Sequence, residues 1–262
     1  MKTALALSLL VFTSSALAAV VGKDVTYKAG DTVMKGFLAY DDAVKGKRAG
    51  VLVVPEWWGA NDYARKRAYM LADAGYVALV VDMYGNGQTT DNPKEAGVLS
   101  GNVNKNPALR LARFQAAEKF LAGQPNVKKG EMAALGYCFG GGVVLNMARA
   151  GEPLKAVISY HGVLATDTPA KPGDIKAKLA IFHGEADSIV PAAQLEAFKT
   201  EMDNAKVDYM LVTYPGAKHS FTNRAADSYA AEFGLPVKYD PAADKDSWTR
   251  TLEFLRATLN ND

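Results

Sequence analysis

Short apolar runs alternate with amphipathic segments along most of the chain. Val51–Val54 is a run of β-branched and aliphatic residues with no polar alternation, which is typical of a strand covered on both faces. The strands that we predict after an opening hairpin (Val25–Tyr27 and Met34–Tyr40) are Val51–Val54, Val77–Val81, Met132–Tyr137, Ala156–Tyr160, Leu179–His183 and Tyr209–Tyr214. The predicted helices are Asp62–Ala74, Pro107–Leu121, Gly141–Arg149, Pro191–Asn204 and Ser247–Leu259.

This order of elements predicts an α/β fold, with a mostly parallel sheet flanked by helices and ligand sites beyond the carboxyl ends of the strands. Residues 82–106 are rich in Gly and Asn and show no clear period, so we expect a long loop or lid there. A chain of 262 residues with 49% hydrophobic content can bury one large core, which predicts one domain.

Charge and targeting signals narrow the class of partner. The 30 basic and 28 acidic residues nearly cancel, so we expect no nucleic-acid partner and a small-molecule ligand. The N-terminus has the pattern of a secretory signal peptide over residues 1–19, with a charged residue at Lys2, an apolar stretch over Ala4–Phe12 and small residues at 16 and 18. We therefore expect residues 20–262 to form the exported domain, periplasmic or secreted, with no membrane contact after cleavage.

The only cysteine lies in a glycine-rich turn. Gly136 and Gly140 flank Cys138 at the spacing of a nucleophile elbow, where a strand turns sharply into a helix. At the start of a helix, exposed N–H groups and the helix dipole favour a thiolate, and the N–H of Phe139 can face an oxyanion. The alternative is that small residues only permit close packing and that Cys138 is buried and inert.

A thiol nucleophile needs a histidine and usually an acid, and this architecture supplies them in the order nucleophile, acid, histidine. Of three histidines, His161 and His183 fall at strand ends where packing or capping explains them, which leaves His219 in a loop after the last predicted strand. Asp187 lies in the loop before the next helix, and Glu185 is its rival. Spacing alone leaves that choice open.

Another carboxylate and a group of aromatic residues follow the strand that ends near Val54. Glu56 would reach the same edge of the sheet, and the backbone N–H of Trp57 could give a second oxyanion donor. The aromatic residues that could line a pocket, each of which could equally be core, are Trp57, Trp58, Tyr84, Tyr137, Phe139 and Phe221.

With these motifs in place, the chain resembles the dienelactone hydrolase family of α/β-hydrolases over most of its mature length. The residues that carry the resemblance are Glu56-Trp57-Trp58-Gly59, Asp82-Met83-Tyr84, Gly136-Tyr137-Cys138-Phe139-Gly140-Gly141, His183-Gly184 with Asp187, and His219-Ser220-Phe221. The resemblance implies a triad of Cys138, Asp187 and His219, with Glu56 pairing with the resting thiol. It thereby favours Asp187 over Glu185.

The chain departs from the family at two positions. Members that act on dienelactone have arginines where this chain has Asn86 and Asn223, and asparagine gives only neutral hydrogen bonds to a carboxylate. We therefore expect an exported ester, lactone or thioester hydrolase, monomeric and without cofactor or metal, whose substrate is not dienelactone itself. The alternative from another class is a ligand-binding or thiol redox-sensing protein on the same fold.

Overall fold

The computed structural model describes residues 20–259, so the predicted signal peptide lies outside the described part of the chain. The strands are β1 Val20–Ala29, β2 Thr32–Asp41, β3 Arg48–Val54, β4 Val77–Val80, β5 Val127–Tyr137, β6 Ala156–Tyr160, β7 Lys178–Gly184 and β8 Tyr209–Tyr214. The helices are α1 Asp62–Asp73, α2 Pro93–Asn104, α3 Pro107–Ala122, α4 Phe139–Arg149, α5 Ala192–Asn204, α6 Ala226–Phe233 and α7 Pro241–Thr258.

The strands form a single eight-stranded sheet in the order β1-β2-β4-β3-β5-β6-β7-β8. The hairpin β1–β2 lies at one edge and pairs antiparallel with β4. From β4 to β8 every neighbouring pair is parallel. The predicted single α/β domain with a mostly parallel sheet is therefore confirmed.

Both faces of the sheet are covered, which explains the continuous apolar runs. Along β3, Leu52 and Val54 face a cluster that includes residues of α3, α4 and α5, whereas Val51 and Val53 face a second cluster with α1 and α7. Successive side chains of a strand point to opposite faces, so a strand buried on both faces has no polar alternation.

The largest differences from the sequence-based prediction are two unpredicted helices, α2 and α6, and an earlier start of the last helix. Residues 82–106 are not one long loop, because α2 occupies Pro93–Asn104, with the Asn92 side chain accepting a hydrogen bond from the N–H of Lys94. Helix α6 was not predicted, and the last helix begins at Pro241 rather than Ser247 because Asp240 caps it through the N–H groups of residues 242 and 243. Helices α2 and α6 both contribute residues to a cavity at the carboxyl edge of the sheet.

Candidate active site

Cys138 lies at the turn between β5 and α4 with φ 53° and ψ −116°, a conformation that non-glycine residues rarely adopt. The turn requires its two glycines. A Cβ at position 136 would lie 2.1 Å from the carbonyl oxygen of Gly140, and a Cβ at position 140 would lie 2.2 Å from that of Val54. The predicted strand, sharp turn and helix around the thiol are therefore present.

His219 and Asp187 meet at the same edge of the sheet, in the loops that follow β8 and β7. Nδ1 of His219 lies 2.8 Å from Oδ2 of Asp187, and both side chains are buried. The other oxygen of Asp187 accepts hydrogen bonds from the backbone N–H groups of Ile189 (2.8 Å) and Val190 (3.0 Å). The carboxylate is thus held by the backbone on one side and orients the imidazole on the other.

The rival acid is placed elsewhere. Glu185 is exposed and accepts a hydrogen bond from the hydroxyl of Thr213 at 2.7 Å. The structure therefore brings Asp187, and not Glu185, to the ring of His219.

The Cys138 side chain also lies close to the imidazole of His219 and affects its pKa. Nε2 of His219 is buried, and among residues 20–259 it has no hydrogen-bond partner of normal geometry. Burial alone would lower the pKa of His219, but the neighbouring Cys138 side chain and the hydrogen bond to Asp187 outweigh burial and raise that pKa to about 10. The imidazole of His219 is therefore held in its protonated form beside the sulfur.

Glu56 is buried close to this pair but binds other partners. Oε1 accepts a hydrogen bond from the hydroxyl of Ser220 at 2.9 Å, and Oε2 accepts one from Nδ2 of Asn223 at 2.6 Å. Burial raises the pKa of Glu56, and the two hydrogen bonds oppose that rise. In this arrangement the carboxylate is held by the loop that carries His219 rather than by the thiol.

A cavity of about 200 Å³ opens at the thiol, and its lining is mostly apolar. Helices α2 and α6 and the segment after α6 contribute lining residues. The sequence analysis did not predict these two helices and therefore did not predict their lining residues. The lining residues are Trp57, Trp58, Ser100, Asn104, Cys138, Phe139, Val163, Ile189, His219, Ser220, Tyr229, Leu235 and Val237. Trp57, Trp58 and Phe139 thus lie where the sequence placed them.

Trp57 and Phe139, which line the cavity, each have a backbone N–H with no acceptor among residues 20–259. The hydroxyl of Tyr84 donates to the carbonyl oxygen of Trp57 at 2.8 Å, which holds the backbone there in place. Donors of this kind can stabilise an oxyanion.

Over the same described range, no cluster of three or more His, Cys, Asp or Glu residues could hold a metal ion. No helix in residues 20–259 has the length and hydropathy needed to span a bilayer.

The sequence profile of the dienelactone hydrolase family matches residues 34–259. The chain belongs to the dienelactone hydrolase family. It is a hydrolase of the dienelactone hydrolase type, as the predicted resemblance implied.

Relatives and solved structures match most of the chain. A dienelactone hydrolase-like promiscuous phosphotriesterase from metagenomic libraries has 33% identity and a TM-score of 0.84, covering 92% of this chain and 100% of its own. A Bradyrhizobium protein, named a probable 2-oxo-3-(5-oxofuran-2-ylidene)propanoate lactonase, has 29% identity over 81% of this chain and 85% of its own. A Synechocystis protein, named provisionally as a carboxymethylenebutenolidase, has 27% identity over 90% and 96%.

Several residues proposed for the pocket lie elsewhere in this dienelactone hydrolase family member. Tyr137 and Phe221 are buried in the core on the α1 and α7 side of the sheet. Tyr84 is buried in the other core cluster and donates a hydrogen bond to the carbonyl oxygen of Trp57. Asn86 is exposed and Asn223 is bonded to Glu56, and neither lines the cavity at the thiol. The two positions expected to hold arginine in the family therefore give this cavity no cation.

Proposed function

We propose that the protein hydrolyses small, uncharged esters or lactones through a thioester formed on Cys138. The observation that carries this proposal is the placement of a strained, glycine-flanked thiol beside a buried histidine–aspartate pair in an apolar cavity. Buried inert cysteines do not need such partners, whereas thiol nucleophiles do.

In the first half of the reaction, the Cys138 thiolate attacks the carbonyl carbon and forms the carbon–sulfur bond. The N–H groups of Trp57 and Phe139, two residues of the cavity wall, donate to the developing oxyanion. When the carbon–oxygen bond breaks, the imidazolium of His219 gives its Nε2 proton to the leaving alkoxide, which departs as an alcohol.

In the second half, neutral His219 takes a proton from water at Nε2 while the water oxygen attacks the thioester carbon. The carbon–sulfur bond then breaks, which releases a carboxylic acid and restores the thiolate beside the imidazolium. Asp187, bonded to Nδ1, keeps Nε2 directed at the reacting atoms and stabilises the charged ring in both halves.

The cavity supports an uncharged substrate with a short acyl group. Its volume is about 200 Å³, and none of its lining residues is lysine or arginine. A free carboxylate would find no bidentate cation there. The Bradyrhizobium relative is named for a lactone that carries a carboxylate, and our proposal separates this chain from that substrate.

The test is turnover of p-nitrophenyl acetate by residues 20–262, compared with a carboxylate-bearing lactone. We expect hydrolysis of the neutral ester to be lost in Cys138→Ala and to exceed that of the charged lactone in the wild type. Unchanged turnover in Cys138→Ala would contradict the thiol mechanism, and a preference for the charged lactone would contradict the substrate class. Ligand binding that depends on oxidation of Cys138, without turnover, would instead support the thiol-sensing alternative.

We also propose that residues 1–19 direct export. Composition of that segment supports the proposal. Cell fractionation of the full chain, with Lys2 and the apolar run intact or deleted, tests it through the compartment in which the esterase activity is recovered.

A further inference from the structure

His161 is a buried histidine outside the proposed triad, and its ring contacts the nucleophile's backbone. It follows β6 directly and is 0% exposed. Its Nδ1 lies 3.1 Å from the backbone nitrogen of Cys138, whose N–H is also 3.0 Å from the carbonyl oxygen of Tyr160. The amide can only donate, so Nδ1 of His161 must be the acceptor.

This hydrogen bond fixes the tautomer of the ring. Since Nδ1 accepts, the proton of neutral His161 is on Nε2, which lies 2.8 Å from the hydroxyl oxygen of Thr222. Burial, followed by the nearby charges of His219 and Arg67, holds the pKa of His161 well below its usual range. The ring therefore stays neutral and keeps both bonds at neutral pH.

Thr222 is a rigid support for this bond. Its hydroxyl lies 2.6 Å from that of Tyr63, and its carbonyl oxygen accepts a hydrogen bond from the guanidinium of Arg67 at 2.7 Å. Thr222 is also three residues after His219, in the same loop, and the rings of His161 and His219 meet edge to face with centroids 5.1 Å apart. One neutral ring thus joins the backbone of the nucleophile to the loop of the base.

Two strained residues meet at this bond. Cys138 has φ 53° and His161 has φ 40°, both in the left-handed region that side chains other than Asn, Asp and Gly disfavour. Such strain persists only where surrounding contacts hold it. The hydrogen bond between these two residues is one of those contacts.

We propose that His161 is a positioning residue that sets the placement of Cys138 relative to His219. The inference rests on the proposed function, because it assigns His161 a role in the same thiol chemistry. It touches no reacting atom, and it acts through the Cys138 backbone and the Thr222 loop.

The experiment compares His161→Leu with His161→Asn, using both turnover and alkylation. Leucine removes the acceptor, whereas asparagine offers Oδ1 near the place of Nδ1 and tolerates positive φ. We expect His161→Leu to lower kcat about tenfold with little change in KM, the effect of losing one well-placed hydrogen bond. His161→Asn restores the acceptor for the Cys138 N–H but is too short to reach Thr222, so it should recover kcat only in part, to within about threefold of the wild type.

Iodoacetamide labelling gives a readout that a purely structural role would not change. Cys138 is the only cysteine of the chain, so the labelling rate against pH reports its thiolate directly. We expect the profile of His161→Leu to shift and that of His161→Asn to lie closer to the wild type. Identical profiles and equal kcat in wild type and His161→Leu would overturn the proposal, as would equal losses in both variants.

Two further variants keep the test decisive if His161→Leu does not fold. Thr222→Val leaves the Nε2–H of His161 without its acceptor, so it should lower kcat and shift the labelling profile. Tyr63→Phe leaves the His161–Thr222 bond in place, so kcat and the labelling profile should stay unchanged. The reverse pattern would overturn the role of His161. Retained turnover in Cys138→Ala would instead refute the proposed function, while the labelling profiles would still test His161.

Discussion

Replacing Gly140 by alanine tests whether the elbow needs its glycines. An added Cβ would lie 2.2 Å from the carbonyl oxygen of Val54 and 2.5 Å from that of Pro55, against an ordinary contact of about 3.4 Å. Both atoms are backbone, so α4 would have to move away from β3 by roughly 1 Å. Overpacking of this kind costs about 3 kcal/mol, which lowers Tm by about 6–12 °C in a domain of this size.

The same movement should lower catalysis. Cys138 directly precedes α4, so a shift of the helix displaces the thiol from His219 and from the N–H of Phe139. A misplacement of about 1 Å at the reacting group lowers the rate on the order of a hundredfold. The measurements are thermal unfolding and kcat, with kcat taken well below the Tm of each variant so that unfolded protein does not count as inactive enzyme.

Two other glycines in helices provide graded controls. A Cβ at Gly142 would meet the carbonyl oxygen of Val163 at 3.3 Å, and at Gly97 in α2 it would meet nothing within 4 Å. Gly97→Ala should therefore raise stability by up to about 1 kcal/mol through helix propensity. We expect losses in the order Gly140→Ala, Gly142→Ala, Gly97→Ala. A Gly140→Ala variant with the Tm and kcat of Gly97→Ala would refute this account of the turn.

The remaining predictions concern the acid, the base and the oxyanion donor. Asp187→Asn should lower kcat at least about a hundredfold, because His219 loses the carboxylate that orients it. Glu185→Gln, which changes an exposed carboxylate, should leave kcat unchanged. Equal effects of the two substitutions would contradict the assignment of Asp187 as the acid. Since the pKa of His219 is raised to about 10, its contribution to stability is complete below its ordinary pKa of about 6.5 and is lost as pH rises towards 10. The excess Tm of wild type over His219→Gln should therefore shrink between pH 7 and pH 10, and a constant excess would argue against the ion pair. Tyr84→Phe removes the hydrogen bond to the Trp57 carbonyl and should lower kcat about fivefold. An unchanged kcat would contradict a role for the Trp57 backbone.

The sheet and the residues at its carboxyl edge could be predicted because each depends on local sequence. Buried parallel strands produce uninterrupted apolar runs, and the Gly136–Cys138–Gly140 spacing reflects contacts within a single turn. The order of nucleophile, acid and histidine then follows from the topology.

The cavity wall was harder to predict, since packing rather than pattern determines it. Helix α2 contains Gly97 and Gly101 and has weak periodicity, so its sequence is typical of a loop, although Asn92 and Pro93 form a normal helix start. Helix α6 has only eight residues and no side-chain cap bond at its N-terminus. Such segments become helical through tertiary contacts that sequence spacing does not encode.

The partners of Glu56 also lay beyond prediction. Asn223 was expected at the substrate, but its amide donates to Oε2 of Glu56 and its own oxygen accepts from the N–H of Ala225. The two side chains are 167 positions apart in the chain. Nothing in the local pattern of either segment indicates that a buried carboxylate and a buried amide would meet.

Capture of the acyl-enzyme tests the central claim most directly. Residues 20–262 would be acid-quenched during turnover of p-nitrophenyl acetate, and the peptides analysed by mass spectrometry, with His219→Ala used to slow hydrolysis of the thioester. We predict one acetyl group per chain, on the peptide that contains Cys138 and absent in Cys138→Ala. Turnover with no acetylated Cys138, or with the acetyl group on another side chain, would contradict the mechanism.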